Sequence, residues 1–205
     1  MEILKRIIEN ILLAIYQPFG FALIMAILLT ALNLYIREKG WKEVLRHYIL
    51  TMKKEKRIRK QFFLDLYVCL LLFKTLLNRD VWMSPLSDVI GVWGIYDNRG
   101  QLTTEVIENF VMFIPLVVLL FWSFQEEILG NKIYIWSIIK LSLIIAFCFS
   151  MSIEILQLIL RLGTFQLSDL FYNTLGGFFG GIIYWGCYNI GNWRKTEKVI
   201  KKYND

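Results

Sequence analysis

Glu154, Gln157 and Arg161 close one apolar segment of this chain, and Asp169 and Asn173 open the next, which runs on into Gly176-Gly177-Phe178-Phe179-Gly180-Gly181. The first three are spaced i, i+3 and i+7, so a helix lines them on one face, and Asp169 and Asn173, four apart, share a face of the following helix. Lys74 lies at the end of an earlier apolar segment, and Glu105, Glu108 and Asn109 begin another. A carboxylate at membrane depth is costly unless paired or protonated, so Glu154 is the residue hardest to explain as scaffold. Lys74 is its expected neutralising partner. Carboxylate, ammonium and amide groups gathered in this way suit the polar head of an amphiphile. They would also let Glu154 serve as a general acid or base, or simply fasten helices together.

Taken singly, each has a plainer reading. Lys74 suits snorkelling outward, Asn109 and Asn173 suit interhelical hydrogen bonds, Asp169 suits a helix cap and Arg161 a headgroup anchor. Taken together, Lys74, Asn109, Glu154, Gln157, Asp169 and Asn173 form the candidate ligand-binding set, with Arg161 at its rim. Nothing comparable is expected at the opposite depth except Lys140, which can snorkel to the interface.

The elements that position these groups are membrane helices. Hydrophobic residues fill 57% of the 205 positions and the mean hydropathy is +0.51, too apolar for a soluble domain of this size. Runs near the roughly 20 residues needed to cross a bilayer occur at about Ile11–Ile36, Phe62–Leu77, Val106–Phe124, Ile133–Leu160 and Thr174–Ile190. The expected fold is all-α, a polytopic transmembrane helix bundle of about five spans. The start of the fourth run, Ile133 to Lys140, either crosses or lies along the interface. The first run is too long for a cleaved signal peptide and reads as a permanent span kinked near Pro18.

Basic loops are retained in the cytoplasm. Arg37 to Lys60 holds ten lysines and arginines; with Lys132 and the tail, sixteen lie on that side against five on the other. The N-terminus is therefore expected outside and the C-terminus inside, which places the candidate set in the outer leaflet. At about 1.5 Å rise per residue, Glu154 then lies about 10 Å inward of Arg161.

The net charge of +6 sits in the cytoplasmic segments, so topology explains it and no nucleic-acid partner is inferred. Cys69, Cys148 and Cys187 lie in apolar spans, and His47 has no companion ligand, so neither a disulfide framework nor a metal site is expected. No cofactor is expected. From Trp41 to Met52 the apolar residues Trp41, Val44, Leu45, Tyr48, Ile49 and Met52 recur at helical spacing among lysines and arginines. That pattern suits an interfacial helix on anionic inner-leaflet lipid over residues 41–60, while Lys53 to Lys60 equally suits a solvated linker. The outer loop from Asn78 to Glu105 carries Trp82, Trp93, Tyr96 and the turn Asp97-Asn98-Arg99-Gly100. Its aromatics suit the headgroup belt, or cover a site from above. Gly176 with Gly180 and Gly177 with Gly181 make two small-xxx-small faces for helix packing, and Pro115 is expected to kink the third span.

Four pieces in order, Leu72-Phe73-Lys74, Asn109-x5-Pro115, Glu154-x2-Gln157 and Asp169-x3-Asn173-x2-Gly176-Gly177, resemble the VanZ-like family of small bacterial membrane proteins. The resemblance covers roughly Leu64 to Tyr188. Val117 stands where that family commonly shows glycine. The resemblance implies a multi-pass protein of a Gram-positive cytoplasmic membrane that contributes to tolerance of teicoplanin-type lipoglycopeptides, with no established catalytic residues. It divides the chain into an N-terminal span with a basic segment (1–61), a four-helix membrane domain (62–191) and a basic tail (192–205). The expected partners are membrane lipid and a lipoglycopeptide or lipid-linked cell-wall precursor. Three functions compete: binding an amphiphile in an outer-leaflet cavity, membrane-embedded enzymology on a lipid-linked envelope substrate, and a structural accessory subunit. The absence of a nucleophile beside a base weighs against the enzyme.

Overall fold

A computed structural model describes residues 2–38, 41–77, 81–96, 100–130 and 133–204, with the side chains at 2–4, 11, 14, 37, 38, 45 and 192–204 excepted. Arg79, Lys132 and most of the turn at 97–100 lie outside the described residues, as do the side chains of the basic tail. The described residues form α1 (Glu2–Tyr16), α2 (Phe19–Glu38), α3 (Trp41–Lys54), α4 (Lys56–Leu72), α5 (Glu105–Ser123), α6 (Gln125–Leu129), α7 (Ile135–Leu160) and α8 (Leu167–Asn204). A π-helical turn, Phe73–Leu77, continues α4. The fold is all-α; among the described residues the strand-like pairing is one isolated bridge between Tyr96 and Leu102.

Among the described residues, three helices are long and apolar enough to cross a membrane: α2 over Phe19–Ile36, α5 and α7. Helices suit that setting because every backbone group inside the segment finds its partner within it. The first expected run is two helices rather than one kinked span. Pro18 cannot donate a backbone hydrogen bond, so α1 stops at Tyr16 and α2 restarts at Phe19. The last run extends both ways, so that one helix of 38 residues carries the polar start, the glycines and the basic tail.

The central packing lies among α5, α7 and α8. Phe113, Leu116, Val117 and Phe121 of α5 are fully buried against Ile138, Ala146 and Ile153 of α7 and Tyr184 of α8. The glycine faces of α8 make this approach possible. A Cβ on Gly176 would overlap the Phe110 carbonyl oxygen, and one on Gly180 would sit 2.6 Å from the Ile114 carbonyl oxygen. Gly177 and Gly181 face α7 at Ala146 and Ser142. Inside α5, Pro115 deprives the Val111 carbonyl of its helical donor, and the Tyr67 hydroxyl of α4 donates to the neighbouring Met112 carbonyl at 2.6 Å.

A second cluster joins α2, α3 and α4. Leu34, Val44 and Ile58 are buried together, with Tyr48 and Met52 packed on them. Helix α3 forms where the periodicity places it, but half of its apolar stripe covers protein. Trp41, Ile49 and Leu50 remain exposed.

Candidate functional site

Two polar groups meet where α4, α5, α7 and α8 come together. The first is built on Glu108, one turn into α5. The Lys74 ammonium lies 3.0 Å from Glu108 Oε2. Glu108 Oε1 accepts from the Thr104 hydroxyl at 2.6 Å and from the Asn10 amide of α1 at 2.9 Å. Asn10 also donates to Thr104 Oγ1 at 2.8 Å, closing the ring. The expected pairing of Lys74 with Glu154 is therefore corrected to Lys74 with Glu108. Lys74 leaves the π-helical turn beside the first turn of α5, and Glu108 is the carboxylate presented there.

The second group is more deeply buried. Glu154 is 1% exposed, and its Oε2 accepts the backbone N–H of Gln166 at 2.9 Å, tying the end of α7 to the segment that enters α8. Gln157, one turn on, donates through Nε2 to the Thr75 carbonyl at 2.8 Å. That carbonyl belongs to the last turn of the α4 segment, where helical acceptors lose their in-helix donors. Asn173 donates to the Ser150 hydroxyl at 2.9 Å. Asp169 is buried in the first turn of α8, beside Ser168.

Several buried polar atoms here have no hydrogen-bond partner: Asn109 Nδ2, Asn173 Oδ1, Gln166 Oε1 and Ser168 Oγ. Most buried polar atoms in folded proteins are satisfied, so four orphans around one junction mark a place suited to a polar guest. The outer loop lies along this junction. Trp82 N–H donates to the Arg161 carbonyl at 2.8 Å, Phe165 N–H to Pro85 and Leu167 N–H to Val89, both at 2.9 Å. Gly91, at φ +71°, packs so tightly on Ser168 that a Cβ would overlap the Ser168 hydroxyl. Arg161 caps α7 in the left-handed conformation, φ 56°, with its side chain exposed.

Two cavities adjoin the Lys74–Glu108 pair. One, about 200 Å³, lies between α4 and α5 and is apolar along Tyr67, Leu70, Leu71, Met112 and Pro115. Asn10, Lys74 and Glu108 lie at its other end. The second, about 240 Å³, is polar and is bounded by Lys74, Thr103, Thr104, Glu105, Glu108 and Asn109. Both cavities include Lys74, Glu108 and Met112 in their walls, so the ion pair stands between them. Among the described residues no three His, Cys, Asp or Glu side chains converge as a metal site would require.

The candidate residues thus divide between two groups that share one junction; Glu108, the centre of the first, stands outside the candidate ligand-binding set, and Asn10 is a further participant. Asn10 stands one residue before the first apolar run, beside Glu9, where it reads as the polar edge of a span. Asp65, the fourth residue of the second expected span, accepts from the Thr30 hydroxyl of α2 at 3.3 Å. It is a second acid within an apolar segment, away from the Lys74 end and not anticipated beside Lys140.

Residues 44–189 match the VanZ/LLP1 family. Protein VanZ of Enterococcus faecium is 31% identical over 96 residues, which are 47% of this chain and 53% of that protein. The chain thus spans about half the length of the curated relative it matches. No solved structure matches.

Proposed function

This chain belongs to the VanZ/LLP1 family, and we propose that it contributes to tolerance of teicoplanin-type lipoglycopeptides by binding an amphiphile in the outer leaflet. The amphiphile is an envelope lipid, a lipid-linked cell-wall precursor or the lipoglycopeptide itself. The observation that carries this reading is the pair of adjoining cavities, an apolar cleft of about 200 Å³ and a polar one of about 240 Å³, that share Lys74, Glu108 and Met112 in their walls. Pockets that hold small molecules combine mainly apolar walls with a few placed polar groups, and an amphiphile presents the matching division. Lys74, Leu71, Leu70 and Tyr67 descend one side of the apolar cleft along α4, and Glu108, Met112 and Pro115 descend the other along α5, so tail and head would lie along the helices.

The topology that goes with this reading has about five spans, adding α4 and α8 to the three apolar helices. The α4 N-terminus, α3 and the tail face the cytoplasm of a Gram-positive bacterium. Trp41, Ile49, Leu50 and the lysines around them would then rest on anionic inner-leaflet lipid.

Filling the apolar cleft tests the reading. Met112, partly buried in the walls of both cavities, is replaced by Trp. Met112→Trp should lower teicoplanin tolerance to that of a strain lacking the protein, with vancomycin tolerance and folded yield unchanged. A well-folded Met112→Trp protein with full teicoplanin tolerance would refute the cavity's role.

A further inference from the structure

The polar cavity offers more than a place for any head group. Among the described residues its walls carry one ammonium, Lys74, against two carboxylates, Glu105 and Glu108, and the ammonium already lies 3.0 Å from Glu108. No cation among the described residues pairs with Glu105, although its side chain is only partly exposed. Asn109, 6% exposed, lines the same cavity and holds an amide nitrogen with no acceptor. Thr103 and Thr104 add hydroxyls at the rim, the first already accepting the Glu105 N–H at 3.3 Å.

A guest must therefore supply a donor to Glu105 and an acceptor to Asn109 while adding no negative charge. A phosphate fails, since two carboxylates would face it with their one cation already engaged, and burying like charges together is costly. An ammonium head answers Glu105 but lies beside Lys74 and leaves the Asn109 amide without an acceptor. A hydroxyl donates and accepts at once, and several on a rigid ring meet both groups from one position.

We propose that the cavity bounded by Glu105, Asn109, Thr103 and Thr104 takes a neutral, hydroxyl-bearing glycosyl head group, whose apolar tail lies in the adjoining cleft beyond the Lys74–Glu108 pair. The proposal rests on the amphiphile-binding reading and specifies its ligand class. The same chemistry exists on free sugars, but those lack the part that fills the apolar cleft.

Purified full-length protein is titrated, with native mass spectrometry as readout, against a glucosyl-diacylglycerol, a phosphatidylglycerol of the same acyl chains, and methyl glucoside. The glucosyl lipid should bind about tenfold more tightly than phosphatidylglycerol, the size expected of one hydrogen bond to a charged group, and methyl glucoside should neither bind nor compete. Glu105→Gln, at a residue with no side-chain partner among the described residues, should bring the two lipids to near-equal occupancy, while Met112→Trp abolishes both. Equal binding of both lipids to the unaltered protein, or a preference for phosphatidylglycerol, overturns the glycosyl assignment and leaves amphiphile binding standing. Competition by methyl glucoside overturns the tail's place in the cleft, and a preference unchanged in Glu105→Gln overturns the role of that carboxylate. Failure of both lipids to bind overturns the amphiphile reading itself.

Discussion

Glu108 gathers three donors, from Lys74, Thr104 and Asn10, and so joins α4, α5 and α1 at one carboxylate. Its side chain is 13% exposed and that of Lys74 29%, so the pair is only partly desolvated and its worth is reduced by solvent screening. A double-mutant cycle on Lys74→Met and Glu108→Gln should give a coupling of about 1 kcal/mol in thermal unfolding, whereas Lys74→Met with Glu154→Gln should add within about 0.5 kcal/mol. Strong coupling to Glu154 and none to Glu108 would contradict the pairing described above. The sequence showed that Lys74 and Glu154 needed partners, since ionisable groups in apolar runs are conspicuous. It could not choose those partners, because Glu105, Glu108, Glu154 and Asp169 all reach the same depth and only the relative rotation of the helices selects one. One partner of Glu154, the backbone N–H of Gln166, carries no side-chain signal at all.

At the scale of elements, the glycines of α8 were readable from their spacing, and the structure adds which neighbour each admits. Gly176 faces the backbone of α5, which cannot move aside as a flexible side chain would, while Gly186 has open space around it. Gly176→Ala should therefore force α5 and α8 apart and cost about 1 to 3 kcal/mol as an overpacked contact. Gly186→Ala should be neutral, or stabilising by up to about 1 kcal/mol from helix propensity. Fluorescence size-exclusion yield and melting temperature in detergent separate the two; equal behaviour would mean that the seam is not tight. Helix α3 shows where periodicity runs out. Its apolar stripe predicts a helix correctly, yet an amphipathic stripe fits lipid and protein equally well, and Val44, Tyr48 and Met52 lie against α2 and α4. The break before α2 was legible at Pro18 as an interruption, though not its outcome as two separate helices.

For the whole molecule, the all-helical fold follows from hydropathy alone, whereas the count of spans depends on how α4 and α8 are treated. Helix α4 is short and opens on the basic residues 56–60, while the apolar part of α8 is broken by Asp169, Asn173 and the glycines, so neither reads as an uninterrupted apolar run. The proposed orientation predicts that, in an otherwise cysteine-free variant, Gln101→Cys reacts with an impermeant thiol reagent on intact cells and Lys56→Cys does not. The reverse pattern would invert the molecule and move the polar junction to the cytoplasm. That orientation gives the Asn10 contact with Thr104 and Glu108 a consequence for biogenesis. Helix α1 would then have to be carried across the membrane before the ring around Glu108 could close, and Lys5 and Arg6 would travel with it. Moving one positive charge outward against the membrane potential costs about 2.3 kcal/mol per 100 mV. Glu2 and Glu9 accompany those two cations, with Glu9 3.7 Å from Lys5. On the proposed orientation the side chains of residues 2–16 would cross with no net charge, and their export would draw little on the membrane potential.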